Sequence, residues 1–182
     1  MRMGHRHGPA SFVEGVAEPA APAGRGCWQG KRGRICLRTM KTVSDLLQGK
    51  GRDVWSVTPD STVYEALALM AERRIGAVVV REGPRVVGIL SERDYARQVV
   101  LKGKTSRETP VREIMTSRVV YVRPQQSVED CMAIMTDKRV RHLPVIERDE
   151  LVGLVSIGDV VKAVISEKQF IIEQLENYIA QG

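Results

Sequence analysis

The chain contains 182 residues, of which 43% are hydrophobic and 27% are charged, and its formal net charge is +6. This composition is typical of a soluble globular protein with one or two small domains. Because no apolar run reaches the roughly 20 residues of a membrane span and no secretion signal opens the chain, we expect a cytoplasmic protein without a membrane partner.

Residues 1–40 differ in kind from the rest of the chain. They are rich in Gly, Pro, Ala and Arg, and they account for five of the six net positive charges. Because they show no sustained helical or strand period, we predict a disordered basic segment. Two alternatives stay open: Met40 is the biological start and the segment a translation artefact, or a basic arm contacts nucleic acid. The nearly neutral remainder does not favour nucleic acid as a partner.

The rest of the chain contains one pattern twice. A shift of 65 residues places residues 57–94 on residues 122–159 without a gap, and about a dozen of the 38 aligned pairs are identical. A duplication of this kind predicts two copies of one supersecondary unit. We therefore place the first repeat at residues 41–105 and the second at residues 106–167, followed by a C-terminal helix extension at residues 168–182.

Each repeat predicts the order β-α-β-β-α. A short strand ends before Pro59 or Pro124, and an amphipathic helix with a capping box follows it. Two runs rich in β-branched residues then form a hairpin, and a second helix begins at Ser91 or Ser156. The fold class is thus α/β, with two repeats that we expect to pack about a pseudo-twofold axis and to form two equivalent clefts, where small ligands usually bind.

The order of elements, the junctions "VVGILSERD" and "LVGLVSIGD", and the segment "RVRHLPVIE" resemble a pair of cystathionine-β-synthase-like (CBS) domains. The resemblance covers roughly residues 43–164, and both copies carry the Gly-x-x-Ser-x-x-Asp spacing. It is closest in kind to the small stand-alone bacterial members. It implies a homodimeric adenine-nucleotide sensor that signals to an effector protein and is not an enzyme. AMP is the first expected ligand, and ATP and NAD are alternatives.

The two junctions carry the first candidate site residues. Ser91 and Ser156 occupy N-cap positions, and Asp94 and Asp159 lie three residues later. On the residues alone this is a capping box worth about 0.5–2 kcal/mol. A carboxylate at a cleft can also accept hydrogen bonds from ribose hydroxyls, and the helix N-terminus suits phosphate. With the resemblance, we assign ribose binding to both aspartates.

A second set of candidates distinguishes the two clefts. The resemblance places Arg141 and His142 where some family members hold the nucleotide phosphate, and Gly158 allows close backbone approach near Asp159. The other cleft offers only Arg93 in a comparable place. Without the resemblance, Arg141 is equally a solvated charge and His142 a structural histidine. We predict that a phosphorylated ligand prefers the Asp159 cleft.

The resemblance also places the adenine in an apolar slot made by backbone of the opposite copy. It assigns Trp55 and Ile75 to the cleft of the second repeat, and Val120 and Val140 to the cleft of the first. Trp55 is equally plausible as a core residue.

Two other classes of function are alternatives to a nucleotide sensor. The sequence has no nucleophile–base pattern, no metal-ligand spacing and no Gly-rich phosphate loop, which speaks against an enzyme, a catalytic cofactor or a metal site. A purely structural dimerisation module without a physiological ligand is the stronger alternative. The amphipathic C-terminal stretch fits it, because such a helix either covers the core of its own module or pairs with a second copy.

Overall fold

The computed structural model describes residues 13–15, 27–30, 33–36 and 41–180. They form two compact units. Unit 1 contains residues 13–15, 53–121 and 146–152, and unit 2 contains residues 27–30, 33–36, 41–52, 122–145 and 153–180. Both helices and strands are present, which confirms the predicted α/β class.

Three short strands lie within residues 1–40, where the sequence analysis expects no secondary structure. They are β1 (Val13–Gly15), β2 (Cys27–Gly30) and β3 (Gly33–Cys36). The strand β1 pairs in parallel with residues 119–121 of unit 1, and β2 and β3 form an antiparallel hairpin. These strands arise from backbone pairing, which needs no amphipathic period in the sequence. The remaining residues of the segment, Met40 included, lie outside those described.

The first repeat has the predicted order of elements. It follows the helix α1 (Val43–Lys50) and consists of β4 (Ser56–Val57), α2 (Val63–Arg73), β5 (Ala77–Glu82), β6 (Arg85–Ser91) and α3 (Glu92–Gln98). The three strands form one sheet in the order β4-β5-β6, with β4 parallel to β5 and β5 antiparallel to β6. A three-residue 3₁₀ helix follows α3 at Val100–Lys102.

The helix α2 shows why the first repeat folds as the sequence predicts. Thr62 caps it, and the Glu65 side chain accepts from the Thr62 backbone N–H at 2.8 Å, which completes the predicted capping box. The apolar positions Val63, Ala66 and Met70 are almost fully buried. They pack against the inner residues of β5 and β6, so helical spacing and strand composition serve one core.

The second repeat has the same order of elements. It consists of β7 (Val119–Tyr121), α4 (Val128–Asp137), β8 (His142–Glu147), β9 (Glu150–Ser156) and α5 (Ile157–Ala180). The strands β8 and β9 are paired, and Val122, directly after β7, bridges Val145 in parallel. The predicted C-terminal extension is continuous with α5, which runs for 24 residues without a break.

The first residues of each predicted repeat, which precede its β-α-β-β-α elements, belong to the unit that holds the other repeat. In unit 2, the Val43 N–H of α1 donates to the Gln126 carbonyl at 2.9 Å, and the Val128 N–H donates to the Lys41 carbonyl at 3.0 Å. In unit 1, the 3₁₀ helix Val111–Glu113 joins the core of the first repeat. Each compact unit is therefore built from chain segments that are not contiguous in sequence.

The glycines of the two repeated junctions, Gly88 and Gly153, lie against the segments that precede the elements of the other repeat. A Cβ atom at Gly88 would lie 2.5 Å from the Met115 sulfur, and one at Gly153 would lie 2.6 Å from a methyl group of Leu47. Met115 follows the 3₁₀ helix of unit 1, and Leu47 lies in α1 of unit 2. The absence of a side chain at each glycine therefore lets the preceding segment of the other repeat pack on the sheet.

Candidate functional site

Both strand-to-helix junctions form the predicted capping box. The Asp94 Oδ2 atom accepts from the Ser91 hydroxyl at 2.6 Å and from the Ser91 N–H at 3.0 Å. The Asp159 Oδ2 atom accepts the same two bonds from Ser156, at 2.7 and 2.8 Å. In both cases the serine hydroxyl also accepts from the aspartate N–H. The aspartate rotamers are therefore fixed by the local backbone, which leaves Oδ1 for another donor.

Most of the amide groups at these helix N-termini are already engaged. The first N–H of α3, from Glu92, donates to the Gly76 carbonyl at 3.2 Å, and the first N–H of α5, from Ile157, donates to the Arg141 carbonyl at 2.9 Å. The third N–H is taken by the capping serine. Within the described part of the chain only the second amide, that of Arg93 or Gly158, is left for a ligand.

The two junctions differ at Lys50, a residue that the sequence analysis did not identify. Its ammonium forms an ion pair and a hydrogen bond with Asp159 Oδ2 and donates to the Leu154 carbonyl at 3.1 Å. No lysine takes this role at Asp94 among the residues that the structure describes. Lys50 is the last residue of α1 and lies in the stretch where the first repeat is three residues longer than the second.

The ion pair stabilises the ionised form of Asp159. Partial burial alone would raise the pKa of this carboxyl, but the hydrogen bonds from Lys50 and Ser156 together hold the pKa below its ordinary value. Asp159 is therefore ionised at neutral pH. An ionised carboxylate is the stronger acceptor for a hydroxyl donor, which is the property that ribose binding requires.

A cavity of about 800 Å³ opens beside this ion pair, wholly within unit 2. From α1 and the residues before it, the cavity is lined by Lys41, Asp45 and Lys50, and from α5 it is lined by Asp159, Lys162 and Ser166. Its volume lies in the range of small-molecule sites, and three of these six side chains are cationic.

The predicted phosphate residues lie near the same junction. The Arg141 carbonyl accepts from the first N–H of α5, so Arg141 lies beside the start of this helix. Its side chain is exposed. His142 opens β8 and is half-buried. The structure thus brings Arg141 and Gly158 to the junction that carries Asp159, and their contact with a phosphate stays a prediction.

The residues predicted to contact adenine have defined backbone roles. The Trp55 carbonyl accepts from the Val79 N–H at 3.2 Å, and the Ile75 and Val140 amides close the C-terminal turns of α2 and α4. Val120 pairs with Glu14 in the β1–β7 ladder. Trp55 is 36% exposed, so the alternative that it is a core residue is wrong. The Arg73 guanidinium covers its ring at 3.8 Å from the centroid. The assignment of these four residues to two clefts stays a prediction.

Other features that could indicate a function are a cysteine, a metal-binding cluster and a membrane-spanning helix. Cys131 is buried, and desolvation together with nearby Asp130 raises the pKa of its thiol to about 12, so it is not a thiolate at neutral pH. Across residues 41–180 and the three N-terminal strands, no group of three or more His, Cys, Asp or Glu side chains could hold a metal ion. No helix in the same ranges is long and apolar enough to cross a membrane.

Comparison with known proteins gives a family for both repeats. The family model of the CBS domain matches residues 43–101 and again residues 111–166. These two matches cover the two β-α-β-β-α repeats together with the segments that precede them, in agreement with the resemblance noted from the sequence.

Individual relatives agree with the family model. The chain is 40% identical over 151 residues to the mitochondrial CBS domain-containing protein CBSX3 of Arabidopsis thaliana, covering 78% of this chain and 73% of the relative. It is 34% identical over 120 residues to the CBS domain-containing protein YhcV of Bacillus subtilis, covering 66% and 83%. A solved protein with CBS domains from Burkholderia ambifaria is 50% identical, with a TM-score of 0.68 over 69% of this chain and 95% of the other.

Proposed function

The chain belongs to the CBS-domain family, and from this premise we propose that it is a regulatory, non-catalytic module whose ligand is an adenine nucleotide. AMP is the first candidate, and ATP and NAD are the alternatives. We further propose that the protein acts in the cytoplasm as a homodimer and that ligand binding changes its conformation for an effector protein. Domain pairs of this family are commonly regulatory and bind ligands, which supports the broader part of this proposal.

The observation that carries the proposal is the state of the Asp159 carboxylate. Its Oδ2 atom receives three donors, from Ser156 and Lys50, whereas no group in the described ranges donates to Oδ1. The carboxylate is thus ionised, held in one rotamer and open on one oxygen. A ribose offers two adjacent hydroxyls, and a fixed, ionised carboxylate accepts from them without further ordering.

The surroundings of Asp159 support a phosphorylated ligand. The exposed Arg141 side chain can bind a phosphate with two parallel hydrogen bonds, and the Gly158 amide points to no acceptor in the described part of the chain. At the first junction the corresponding position to Arg141 is Gly76, which has no side chain to offer. We therefore propose that Asp159, and not Asp94, belongs to the tighter site.

Calorimetric titration of single variants tests this proposal. Asp159→Ala should remove the ribose contacts, and Arg141→Ala should remove a charge-assisted bond worth about 1.5–3 kcal/mol, or roughly ten- to a hundredfold in the Kd of AMP. Adenosine should respond much less to Arg141→Ala, because it carries no phosphate. Asp94→Ala is the matched control, since it breaks the same capping box in the other repeat. If Asp94→Ala abolishes tight AMP binding and the other two variants do not, the site assignment is reversed.

A structural dimerisation module is the alternative function, and one observation favours it. The last three turns of α5 expose apolar side chains that their own unit does not cover, among them Ile172, Leu175 and Ile179 at 53–76% exposure. Thermal unfolding with millimolar AMP, ATP, NAD and S-adenosylmethionine separates the two functions. A ligand that binds the folded state stabilises it, by about 2.7 kcal/mol at a hundredfold excess over Kd, and therefore raises Tm. No shift with any of the four would favour the structural module.

A further inference from the structure

The cavity between α1 and the first turns of α5 has an uncompensated positive charge. Five charged side chains line it: Lys41, Asp45, Lys50, Asp159 and Lys162. All of them belong to unit 2, so the cavity is a feature of one compact unit. A charged ligand would bind the side chains that have no partner of opposite charge within the structure.

Both carboxylates of the cavity are already engaged. Asp159 forms the ion pair with Lys50 and accepts from Ser156. Asp45 belongs to the capping box of α1, where its Oδ2 atom accepts from the Thr42 N–H and from the Thr42 hydroxyl, each at 2.9 Å. Neither carboxylate therefore forms an ion pair with Lys41 or Lys162, and the three ammonium groups against two carboxylates leave the cavity a net charge of +1.

The remaining lysines have no acidic partner among the described residues. Lys41 precedes α1, and Lys162 lies one turn after Asp159 on α5. Neither forms an ion pair there. In addition, Lys50 uses two of the three N–H donors of its ammonium, for Asp159 and Leu154, which leaves one donor for a further acceptor.

From this balance of charges we infer that the cavity binds a chain of two or more phosphate groups through Lys41, Lys50 and Lys162. This inference rests on the proposed function for the nucleoside that carries the phosphates, but the charge of the cavity is independent of it. A ligand bound through Asp159 with a triphosphate would offer one phosphate group to each of the three ammonium groups, whereas a nucleoside monophosphate has a single phosphate for all three. The cavity thus ranks ATP, an alternative ligand of the proposed function, above AMP, its first candidate.

The test is calorimetric titration of the full chain with AMP, ATP and inorganic tripolyphosphate. The double substitution Lys41→Met with Lys162→Met removes both unpaired charges and leaves the Lys50–Asp159 ion pair in place. The control is Lys102→Met with Lys168→Met, which removes the same net charge at two exposed lysines that do not line the cavity. Thermal unfolding tests whether each variant is folded.

We expect the Lys41/Lys162 variant to bind ATP and tripolyphosphate at least tenfold more weakly than the wild-type chain, with AMP changed by less than about threefold. The control should change all three affinities by less than about threefold. Equal losses for ATP and AMP, or no loss for tripolyphosphate, would overturn the inference. If AMP binds but tripolyphosphate does not, the cavity inference fails and the proposed function stands. If tripolyphosphate binds through the two lysines and no nucleotide binds, the proposed function fails instead.

Discussion

At the scale of single residues, the pair of Lys50 and Asp159 distinguishes two junctions that are otherwise equal. Both junctions have the same serine and aspartate in the same hydrogen bonds. Among the described residues, only Asp159 receives a lysine, Lys50, which lies 109 residues earlier in the chain. The inequality of the two repeats therefore depends on a contact at long range as well as on the local differences at Arg141 and Gly158.

The Lys50→Met substitution should weaken the fold by an amount that depends on pH. Because the folded state lowers the pKa of Asp159, the ion pair stabilises the protein fully above the unfolded pKa of about 3.9 and loses its effect as the pH falls through the lower folded value. Both side chains are partly exposed, so we expect a loss of about 0.5–1 kcal/mol at pH 7.

Chemical denaturation at pH 7, 4 and 3 measures this effect. The difference between the wild-type and Lys50→Met chains should be largest at pH 7 and should shrink below about pH 4. Lys104→Met, which breaks the ion pair with Glu113, controls for the loss of an exposed lysine. A difference that stays constant over this range would contradict the pKa assignment.

Arg74 and Arg139 occupy corresponding positions and share a left-handed backbone, with φ values of 53° and 54°. Glycine adopts this conformation without steric cost, so Arg139→Gly should stabilise the fold by about 0.5 kcal/mol. Lys138→Gly is the matched control, because the neighbouring Lys138 has φ −82° and its replacement should destabilise the fold by about 0.5–1 kcal/mol. Equal destabilisation of both variants would show that the Arg139 side chain itself contributes to stability.

At the scale of elements, the packing of α1 on β9 depends on a glycine. Leu47 is 2% exposed, and a Cβ atom at Gly153 would lie within 2.7 Å of both its methyl groups. Real Cβ atoms do not approach a neighbour so closely, so either Leu47 changes rotamer or α1 moves. Because α1 also carries Lys50, a shift of this helix would reach the Asp159 ion pair as well.

Gly153→Ala should therefore destabilise the fold by about 1–3 kcal/mol, which corresponds to a decrease in Tm of several degrees. Gly49→Ala is a matched control, since a Cβ atom at Gly49 would have no neighbouring atom within 4 Å and alanine favours the helix. It should leave Tm unchanged or raise it slightly. A Tm for Gly153→Ala equal to that of the wild-type chain would mean that Leu47 relaxes without cost.

At the scale of the whole molecule, the sequence predicts what each repeat forms but not which segments pack together. Capping boxes and apolar spacing are local signals, and they identify the β-α-β-β-α order in both copies. The segments that precede the two repeats have nearly the same pattern, so no local signal indicates that α1 joins unit 2 and residues 111–113 join unit 1. Lys50 was missed for the same reason, because it lies where the repeats do not align and its partner is distant.

The last turns of α5 should contribute to self-association more than to the fold of the unit. Residues 168–180 are exposed almost throughout, and their apolar members reach 76% exposure at Ile179. The buried residues of α5, Val160 and Ala163, precede this stretch. A chain that ends at Glu167 therefore retains the contacts of α5 with its own core.

We expect this shortened chain to unfold cooperatively, with a Tm that no longer depends on protein concentration, and to sediment as a monomer. The full chain should sediment as a dimer whose Tm rises with concentration, because association stabilises the folded state by mass action. The substitution Glu173→Gln is a control, since it alters the same helix without removing apolar surface. If the shortened chain remains a dimer, the homodimer forms through another surface, and the exposed residues of α5 need a different partner.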